Sequence, residues 1–278
     1  MKALIIGATG ATGKDLVQKL SQDKDFEEIH AFVRKPVEST SEKVKFHVVN
    51  FEKPEEWKDL VKGDVAFSCL GTTLKDAGSK EAQRKVDFDY QLQFAKTAKE
   101  NGVEDFVLVS AYGANPNSKI FYSRMKGELE EEVKKLHFNK ITIFQPGMLD
   151  RKNTDRTGEV LGARIIKFAN KFGVLESQKP LPTDILAQAL VNSSKIKSYG
   201  YSKIKLGSIF SFAEKKYSTS EIFQSHPTIV LSLNHIKFEL VPAIDNYGYQ
   251  IPSPASSWTE WTRPSARANP VPGDAPPR

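Results

Sequence analysis

The sequence predicts an α/β fold with a doubly wound parallel sheet. Over roughly the first two hundred residues, short apolar runs alternate with helical patterns, which is typical of buried parallel strands in βαβ units. A glycine-rich turn joins the first apolar run to the first helical segment. These two observations together favour a parallel sheet covered by helices on both faces.

The predicted strands and helices follow in order along this region. We expect six strands, at Ala3–Ile6, Ile29–Val33, Val44–Val49, Val65–Leu70, Phe106–Ser110 and Ile141–Phe144. We expect helices at Lys14–Leu20, Lys85–Asn101 and Tyr122–Leu136. The pair Asn101-Gly102 after the second of these helices is a common signal for the end of a helix.

The composition is that of an ordinary globular protein, with 39% hydrophobic and 27% charged residues among 278. A single cysteine excludes a disulfide framework and a cysteine-rich zinc site. Cys69 lies in a predicted strand, where a small buried apolar residue is the simplest interpretation. The five histidines show no metal-ligand spacing, so we expect no metal site.

The character of the chain changes after about Leu206. Nine of the 15 prolines lie beyond this residue. The net charge of +6 lies entirely before it, because six basic residues balance six acidic ones from Gly207 onward. We therefore expect one domain over residues 1–206, a partial β-rich appendage over 207–262 and a disordered tail over 263–278.

No targeting or membrane segment is evident. The opening MKALIIGATG has too short an apolar run for a signal peptide, and no run approaches the roughly 20 apolar residues of a membrane helix. We expect a cytoplasmic protein with no membrane or nucleic-acid partner.

The strongest motif is the turn Gly7-Ala8-Thr9-Gly10-Ala11-Thr12-Gly13. Gly7 permits a tight turn, Gly10 permits a pyrophosphate to approach the backbone, and Gly13 permits close packing of helix on strand. The amino end of the helix then offers N–H groups and a positive dipole to phosphates. The spacing GxxGxxG predicts a dinucleotide site, and the alternative is a plain strand–helix turn.

The end of the second predicted strand indicates which dinucleotide binds. Where NAD-binding proteins carry an acidic residue for the ribose hydroxyl, this strand ends in Arg34-Lys35. A guanidinium suits a 2′-phosphate, so the pattern favours NADP(H). The alternative is a pair of solvated cations.

Tyr122 and Lys126 lie four residues apart and therefore on one face of their predicted helix. A nearby ammonium stabilises a phenolate, so Tyr122 could exchange a proton during hydride transfer. Ser110 ends the fifth strand and could polarise the same carbonyl. Tyr-x-x-x-Lys also occurs at Tyr199 and Tyr201, which we place in a turn beside Gly200; an ordinary amphipathic helix is the alternative for Tyr122.

Together these features resemble the short-chain dehydrogenase/reductase superfamily. They are most similar to its atypical branch, with the NAD(P)H-binding, NmrA-like and Tat-interacting oxidoreductase-like proteins. The resemblance covers about residues 1–206. It rests on GATGATG at Gly7–Gly13, VRKP at Val33–Pro36, CLGTT at Cys69–Thr73, VSAYGA at Val109–Ala114, YSRMK at Tyr122–Lys126 and QPGML at Gln145–Leu149.

The resemblance implies a Rossmann domain and a role for each matching residue. Tyr122 would donate the proton, Lys126 would hold the nicotinamide ribose and Ser110 would orient the substrate. The implied cofactor contacts are Gly7, Thr9, Gly10, Ala11, Thr12, Gly13, Arg34, Lys35, Asn50, Phe51, Leu70, Gly71, Thr72, Tyr122, Lys126 and Pro146. Asn50 departs from the family, which usually has Asp there, and the catalytic Asn of typical members has no evident counterpart.

Two functions follow from the resemblance. The first is NADP(H)-dependent oxidoreduction of a small carbonyl or alcohol, and the second is an NADPH-binding sensor without turnover. A homodimer is left open.

The segment from Ile209 to Trp261 resembles a fragment of the bacterial nucleotidyltransferases that make cyclic oligonucleotide signals. The matching stretches are Phe212–Glu221, Leu233–Ile244 and Gly248–Trp258. Glu239 would be the third metal-binding carboxylate, and the other carboxylates of a two-metal site are missing. The alternative is a generic hairpin of Ile229–Leu233 and Lys237–Val241. Nucleotidyl transfer is therefore the third and weakest expectation.

Overall fold

The computed structural model describes residues 1–39, 41–150 and 180–214. Its main strands are β1 (Lys2–Ile6), β2 (Glu28–Val33), β3 (Val44–Val48), β4 (Val65–Ser68), β5 (Asp105–Val109), β6 (Lys140–Gln145) and β9 (Gly200–Lys205). They form one parallel sheet in the order β3-β2-β1-β4-β5-β6-β9. The short strands β7 (Leu149–Asp150) and β8 (Leu181–Pro182) pair separately. The predicted doubly wound fold class is confirmed.

The helices are α1 (Ala11–Gln22), α2 (Leu74–Ala77), α3 (Lys80–Arg84), α4 (Tyr90–Glu100), α5 (Phe121–Lys134), α6 (Thr183–Lys195) and α7 (Ser208–Glu214). A π-helical segment, Lys85–Asp89, joins α3 to α4, so the helix expected over Lys85–Asn101 begins with a wider turn. It ends as predicted, because Gly102 follows Asn101 with a φ of +83°. Within the described ranges, no helix is both long and apolar enough to cross a bilayer.

The sheet separates two hydrophobic cores. Along β1, Ala3 and Ile5 face one core, and Leu4 and Ile6 face the other. Helices α1, α6 and α7 supply residues to the first core, while α4 and α5 supply residues to the second. Because both faces are buried, each central strand reads as a nearly continuous apolar run, which is why these strands were predictable.

The prediction of a turn around Gly200 is wrong. Gly200 begins β9 with a φ of +90°, and Tyr201 pairs with Ile141 inside the sheet. The pattern hid this strand because Lys203 and Lys205 interrupt its apolar residues. Polar residues are common in strands at a sheet edge, where one side lacks a neighbouring strand.

Helix α7 lies beyond the boundary expected at Leu206, yet two of its apolar residues are buried. Ile209 is fully buried, and Phe212 makes an edge-on contact with Phe144 at 5.9 Å between ring centroids. The Asn192 side chain on α6 donates to the Phe212 carbonyl oxygen at 3.0 Å. The expected β-rich appendage beyond residue 214, the hairpin and the tail lie outside the described residues.

Candidate functional site

The glycine turn has the geometry that its spacing predicts. Gly7 adopts a φ of +81°, and a Cβ there would lie 2.5 Å from the backbone carbon of Cys69 at the end of β4. A Cβ on Gly13 would lie 2.0 Å from the Gly7 carbonyl oxygen. Gly10 caps α1, and its N–H donates to the Gly7 oxygen at 3.0 Å. Side chains at Gly7 and Gly13 would therefore force the turn apart.

A cavity of about 550 Å³ opens beside this turn, at the carboxyl ends of β1 and β4. Seven of the expected cofactor residues line it: Gly7, Thr9, Gly10, Arg34, Leu70, Gly71 and Thr72. In open α/β sheets, this edge is where ligands bind. The structure thus brings the glycine turn, the end of β2 and the segment after β4 to one cavity.

The other expected cofactor residues do not line this cavity. Ala11, Thr12 and Gly13 form the first turn of α1, and Lys35 is exposed next to Arg34. The Asn50 carbonyl oxygen accepts a hydrogen bond from Trp57 Nε1 at 2.9 Å, and Phe51 is buried against Tyr90 and Trp57. Pro146 follows β6, and its carbonyl oxygen accepts from the Tyr112 N–H at 2.9 Å.

Lys85 and Tyr90 are among the cavity residues that were not predicted from the sequence, and both contact Glu52. The Lys85 ammonium lies 2.7 Å from Glu52 Oε1, and the Tyr90 hydroxyl donates to the same oxygen at 3.1 Å. These contacts, Lys85 first, lower the pKa of Glu52. No local motif distinguishes Lys85 from other surface lysines, so only the fold reveals its place.

Tyr122 and Lys126 lie together on the first turns of α5, as predicted. The Lys126 ammonium is 6.0 Å from the centroid of the Tyr122 ring. Tyr122 is 40% exposed, whereas Lys126 is only 2% exposed. Tyr122 is thus exposed to solvent, while the Lys126 ammonium beside it is shielded from water.

Asp87, in the π-helical segment, connects this pair to the cavity. Its Oδ1 lies 2.9 Å from Lys126 Nζ, and its Oδ2 accepts from the Thr72 N–H at 2.8 Å. Burial, the largest influence, lowers the pKa of Lys126, but the charges of Tyr122, Asp87 and Glu130 outweigh it and raise that pKa above 10.5. Lys126 is therefore a charged group throughout the neutral range.

Ser110, directly after β5, is hydrogen-bonded to a buried carboxylate. Its hydroxyl donates to Glu130 Oε1 on α5. Glu130 also accepts from Gln145 Nε2 at 2.7 Å and contacts Lys203 Nζ at 2.7 Å. Ser110 and Glu130 are 5% and 2% exposed. The structure thus gives the Ser110 hydroxyl a buried hydrogen-bond partner on α5.

The loop after β5 packs tightly on the helix that carries Tyr122. A Cβ on Gly127 would lie 2.3 Å from the Asn115 carbonyl carbon, so only glycine admits this approach. The Asn115 N–H donates to the Ser123 carbonyl oxygen at 3.0 Å, and Arg124 donates to the Ser118 carbonyl oxygen at 2.9 Å. These contacts fix the amino end of α5 against the loop that follows β5.

Within residues 1–39, 41–150 and 180–214, no three His, Cys, Asp or Glu side chains form a metal-binding group. His30 and His47 instead bond to each other, with 2.8 Å between Nδ1 and Nε2. Cys69 lines the cavity, and burial raises the pKa of its thiol to about 12.

Comparison with known proteins decides the family. A family described as NAD(P)H-binding matches residues 7–171. The chain belongs to this family. The domain is thus NAD(P)H-binding and oxidoreductase-like, and the expected resemblance is confirmed.

Two curated relatives illustrate the family. The chain is 38% identical to the protein FMP52 of Eremothecium gossypii over 151 residues, covering 54% of this chain and 66% of the relative. It is 35% identical to the rat protein HTATIP2 over 195 residues, covering 68% of this chain and 79% of the relative.

The fold is shared more widely than the sequence. The UDP-glucose 4-epimerase of Thermotoga maritima aligns with a TM-score of 0.56 at 14% identity, covering 73% of this chain and 76% of the epimerase. At this identity the likeness shows the Rossmann-type fold alone.

The comparison with relatives contradicts the predicted cytoplasmic location. FMP52 relatives from Eremothecium gossypii, Debaryomyces hansenii and Saccharomyces cerevisiae are all named as mitochondrial. The sequence analysis relied on the absence of a recognisable targeting segment, which is a weak guide to location.

A second family matches the C-terminal part of the chain. It is described as a Second Messenger Oligonucleotide or Dinucleotide Synthetase domain and covers residues 184–271. The match supports the expected nucleotidyltransferase-like segment. Its first residues nevertheless form α6, β9 and α7, which complete the Rossmann-type sheet. Glu239 lies outside the described residues.

Proposed function

We propose that the chain is an NADP(H)-dependent oxidoreductase that interconverts a small carbonyl compound and its alcohol. One observation carries the proposal: Asp87 contacts both the Thr72 N–H, at the cavity wall, and the Lys126 ammonium below Tyr122. A single buried side chain therefore connects the cavity wall to the lysine beside Tyr122, which is the proposed proton donor.

The cavity suits the phosphates of a dinucleotide. No described side chain caps the amino end of α1 at Gly10, so its backbone N–H groups are available to a pyrophosphate. Arg34 lines the same cavity and offers positive charge to a 2′-phosphate. Glu52 is the nearby acid, and its pairing with Lys85 and Tyr90 limits repulsion of that phosphate. These contacts support NADP(H) over NAD(H).

The chain's own residues then have distinct tasks. The glycine turn and Leu70–Thr72 would hold the cofactor, and Lys126 would hold the nicotinamide ribose and keep positive charge near the phenol. When bound, the nicotinamide would supply a hydride to the carbonyl carbon. Tyr122 gives its hydroxyl proton to the carbonyl oxygen, which becomes the alcohol, and the reverse reaction returns that proton.

A specific contact favours an alternative, an NADPH-binding sensor without turnover. The Ser110 hydroxyl donates its proton to Glu130, so it has no second proton to donate to a substrate carbonyl, and this supports the alternative. In this alternative, the cavity binds NADPH and the cofactor changes the affinity of a protein partner. Nucleotidyl transfer is a third possibility, supported by the match over residues 184–271.

Replacing Tyr122 by phenylalanine separates the first two functions. NADPH oxidation is followed by absorbance across a panel of aldehydes and ketones, and the cofactor affinity of each variant is measured by calorimetry. We expect Tyr122→Phe to lose turnover by at least about a hundredfold while keeping its NADPH affinity. Full turnover in Tyr122→Phe would refute the proton-donor role.

A matched control is available in Tyr199→Phe. Tyr199 also begins a Tyr-x-x-x-Lys sequence, but its side chain is 86% exposed and does not line the cavity. We expect this variant to behave as the wild type. NADPH binding without reduction of any carbonyl would favour the sensor, and a magnesium-dependent product from nucleoside triphosphates would favour the third function.

A further inference from the structure

Asp87 is the most completely buried charged side chain near the proposed cofactor site. Its side chain is 0% exposed, and its two carboxylate oxygens serve different elements. Oδ2 accepts from the backbone of Thr72, in the segment after β4, at 2.8 Å. Oδ1 faces Lys126 Nζ on α5 at 2.9 Å. One carboxylate thus links the cavity wall to the lysine beneath Tyr122.

Because Lys126 is buried, its charged form depends on the Asp87 carboxylate. A lysine that is 2% exposed loses its hydration, which disfavours its charged form. The titratable groups that raise the pKa of Lys126 against this burial are, largest first, Tyr122 on α5, Asp87 in the π-helical segment and Glu130 on α5. Glu130 contacts Ser110, Gln145 and Lys203. The carboxylate that contacts Lys126 directly is that of Asp87.

Hydrogen bonds from neighbouring side chains hold the backbone at Asp87 and at Thr72. The Gln91 side chain donates to the Asp87 carbonyl oxygen at 2.8 Å and accepts from the Ser68 hydroxyl at 2.8 Å. Gln83 donates to the Thr72 carbonyl oxygen at 3.3 Å. The backbone on both sides of the Asp87–Thr72 contact is therefore anchored, which fixes where the carboxylate points.

We propose that Asp87 is a positioning residue that keeps Lys126 charged and holds residues 70–72 against the bound cofactor. This inference rests on the proposed function, because it concerns how the same site binds NADP(H). Asp87 acts through Lys126 and Thr72 and has no contact of its own with the substrate. Without Asp87, burial would discharge Lys126 at a pH at which the wild-type lysine is still charged.

The variant Asp87→Asn tests this directly. The amide oxygen can still accept from Thr72, but the side chain no longer neutralises Lys126. NADPH affinity is measured by calorimetry from pH 7 to pH 9.5. We expect wild-type affinity to change by less than about threefold over this range, and that of Asp87→Asn to fall by at least about tenfold as Lys126 loses its proton.

The matched control is Asp89→Asn, which removes the same charge two residues away at an exposed position. We expect it to follow the wild-type profile. In a double variant, Asp87→Asn with Lys126→Arg, the pH dependence should disappear because a guanidinium stays protonated throughout this range. A merely structural Asp87 would instead give a loss that is the same at every pH.

The outcomes separate this inference from the proposed function. If Asp87→Asn loses NADPH affinity equally at every pH, or loses none, the positioning role is overturned. If Asp87→Asn does not fold, the wild-type profile decides: a flat profile supports the inference, and a tenfold fall by pH 9.5 overturns it. Failure of the wild type to bind NADPH at pH 7 rejects the proposed function itself.

Discussion

Cys69 shows how its surroundings set the chemistry of one residue. It lies at the end of β4, lines the cavity beside Gly7 and Leu70, and is the single cysteine of the chain. Burial raises the pKa of its thiol to about 12, so the reactive thiolate is scarce at neutral pH. Its place in the cavity therefore does not make it a nucleophile.

Alkylation measures this directly. At pH 8, we expect Cys69 in the folded protein to react with iodoacetamide at least about a hundredfold more slowly than a free cysteine. The same protein in denaturant, which serves as the control, should react fully. Rapid labelling of the folded protein would contradict the shielded environment.

Some residues could be assigned from the sequence, and others could not. Gly7 and Gly13 were predictable because the turn that needs them is encoded within seven consecutive residues. Asp87 and Glu130 were not, because their partners lie on other elements and no local pattern reveals a buried charge. Ser110 was predicted to orient the substrate, a role that its bond to Glu130 leaves untested.

The β2–β3 pair contains a histidine contact that makes stability depend on pH. His30 bonds to His47 at 2.8 Å, and Glu28 lies 3.2 Å from His30 Nε2, with Lys2 and Lys45 beside it. Burial lowers the pKa of both histidines below 6.5. Hydrogen bonds from Lys45, Lys2 and His30 lower the pKa of Glu28 to about 2, so Glu28 stays ionised near neutral pH.

The sign of the effect follows from these directions. Below about pH 6.5, the unfolded chain takes up protons on His30 and His47 before the folded chain does, so the free energy of unfolding falls with falling pH. Urea denaturation between pH 7.5 and 5.5 should show this fall. It should be smaller in His47→Gln and unchanged in His137→Gln, whose histidine is exposed. An identical fall in all three proteins would contradict the account.

Strands could be predicted from the sequence where both of their faces are buried. The central strands β1, β4, β5 and β6 are apolar on both faces and were expected within one or two residues. The edge strand β9 was not predicted because its lysines give it the polar composition that is typical of a loop. The helix α6 was not predicted, although it covers one core, because its polar residues obscure the helical apolar spacing.

At the scale of the molecule, we propose that the front domain extends to Glu214 rather than Leu206. Ile209 and Phe212 on α7 are 0% and 8% exposed, so a chain cut after Leu206 loses two core side chains. Compared with a chain cut after Glu214, it should lose at least about 3 kcal/mol of unfolding free energy, measured by urea denaturation. Equal stability of the two truncated chains would contradict this.

The central claim for the whole molecule is that its cavity binds NADP(H) through Arg34. Arg34 lines the cavity, whereas the neighbouring Lys35 does not, so Lys35→Ala is the matched control for Arg34→Ala. Removing a charge-assisted bond to a 2′-phosphate costs about 1.5–3 kcal/mol, and NADH has no such phosphate.

The most direct measurement is therefore calorimetric titration of the wild type, Arg34→Ala and Lys35→Ala with NADPH and with NADH. We expect Arg34→Ala to lose about tenfold to a hundredfold in affinity for NADPH and to change little for NADH, while Lys35→Ala stays close to the wild type in both. An equal loss for the two cofactors in Arg34→Ala, or no binding of NADPH by the wild type, would contradict the account.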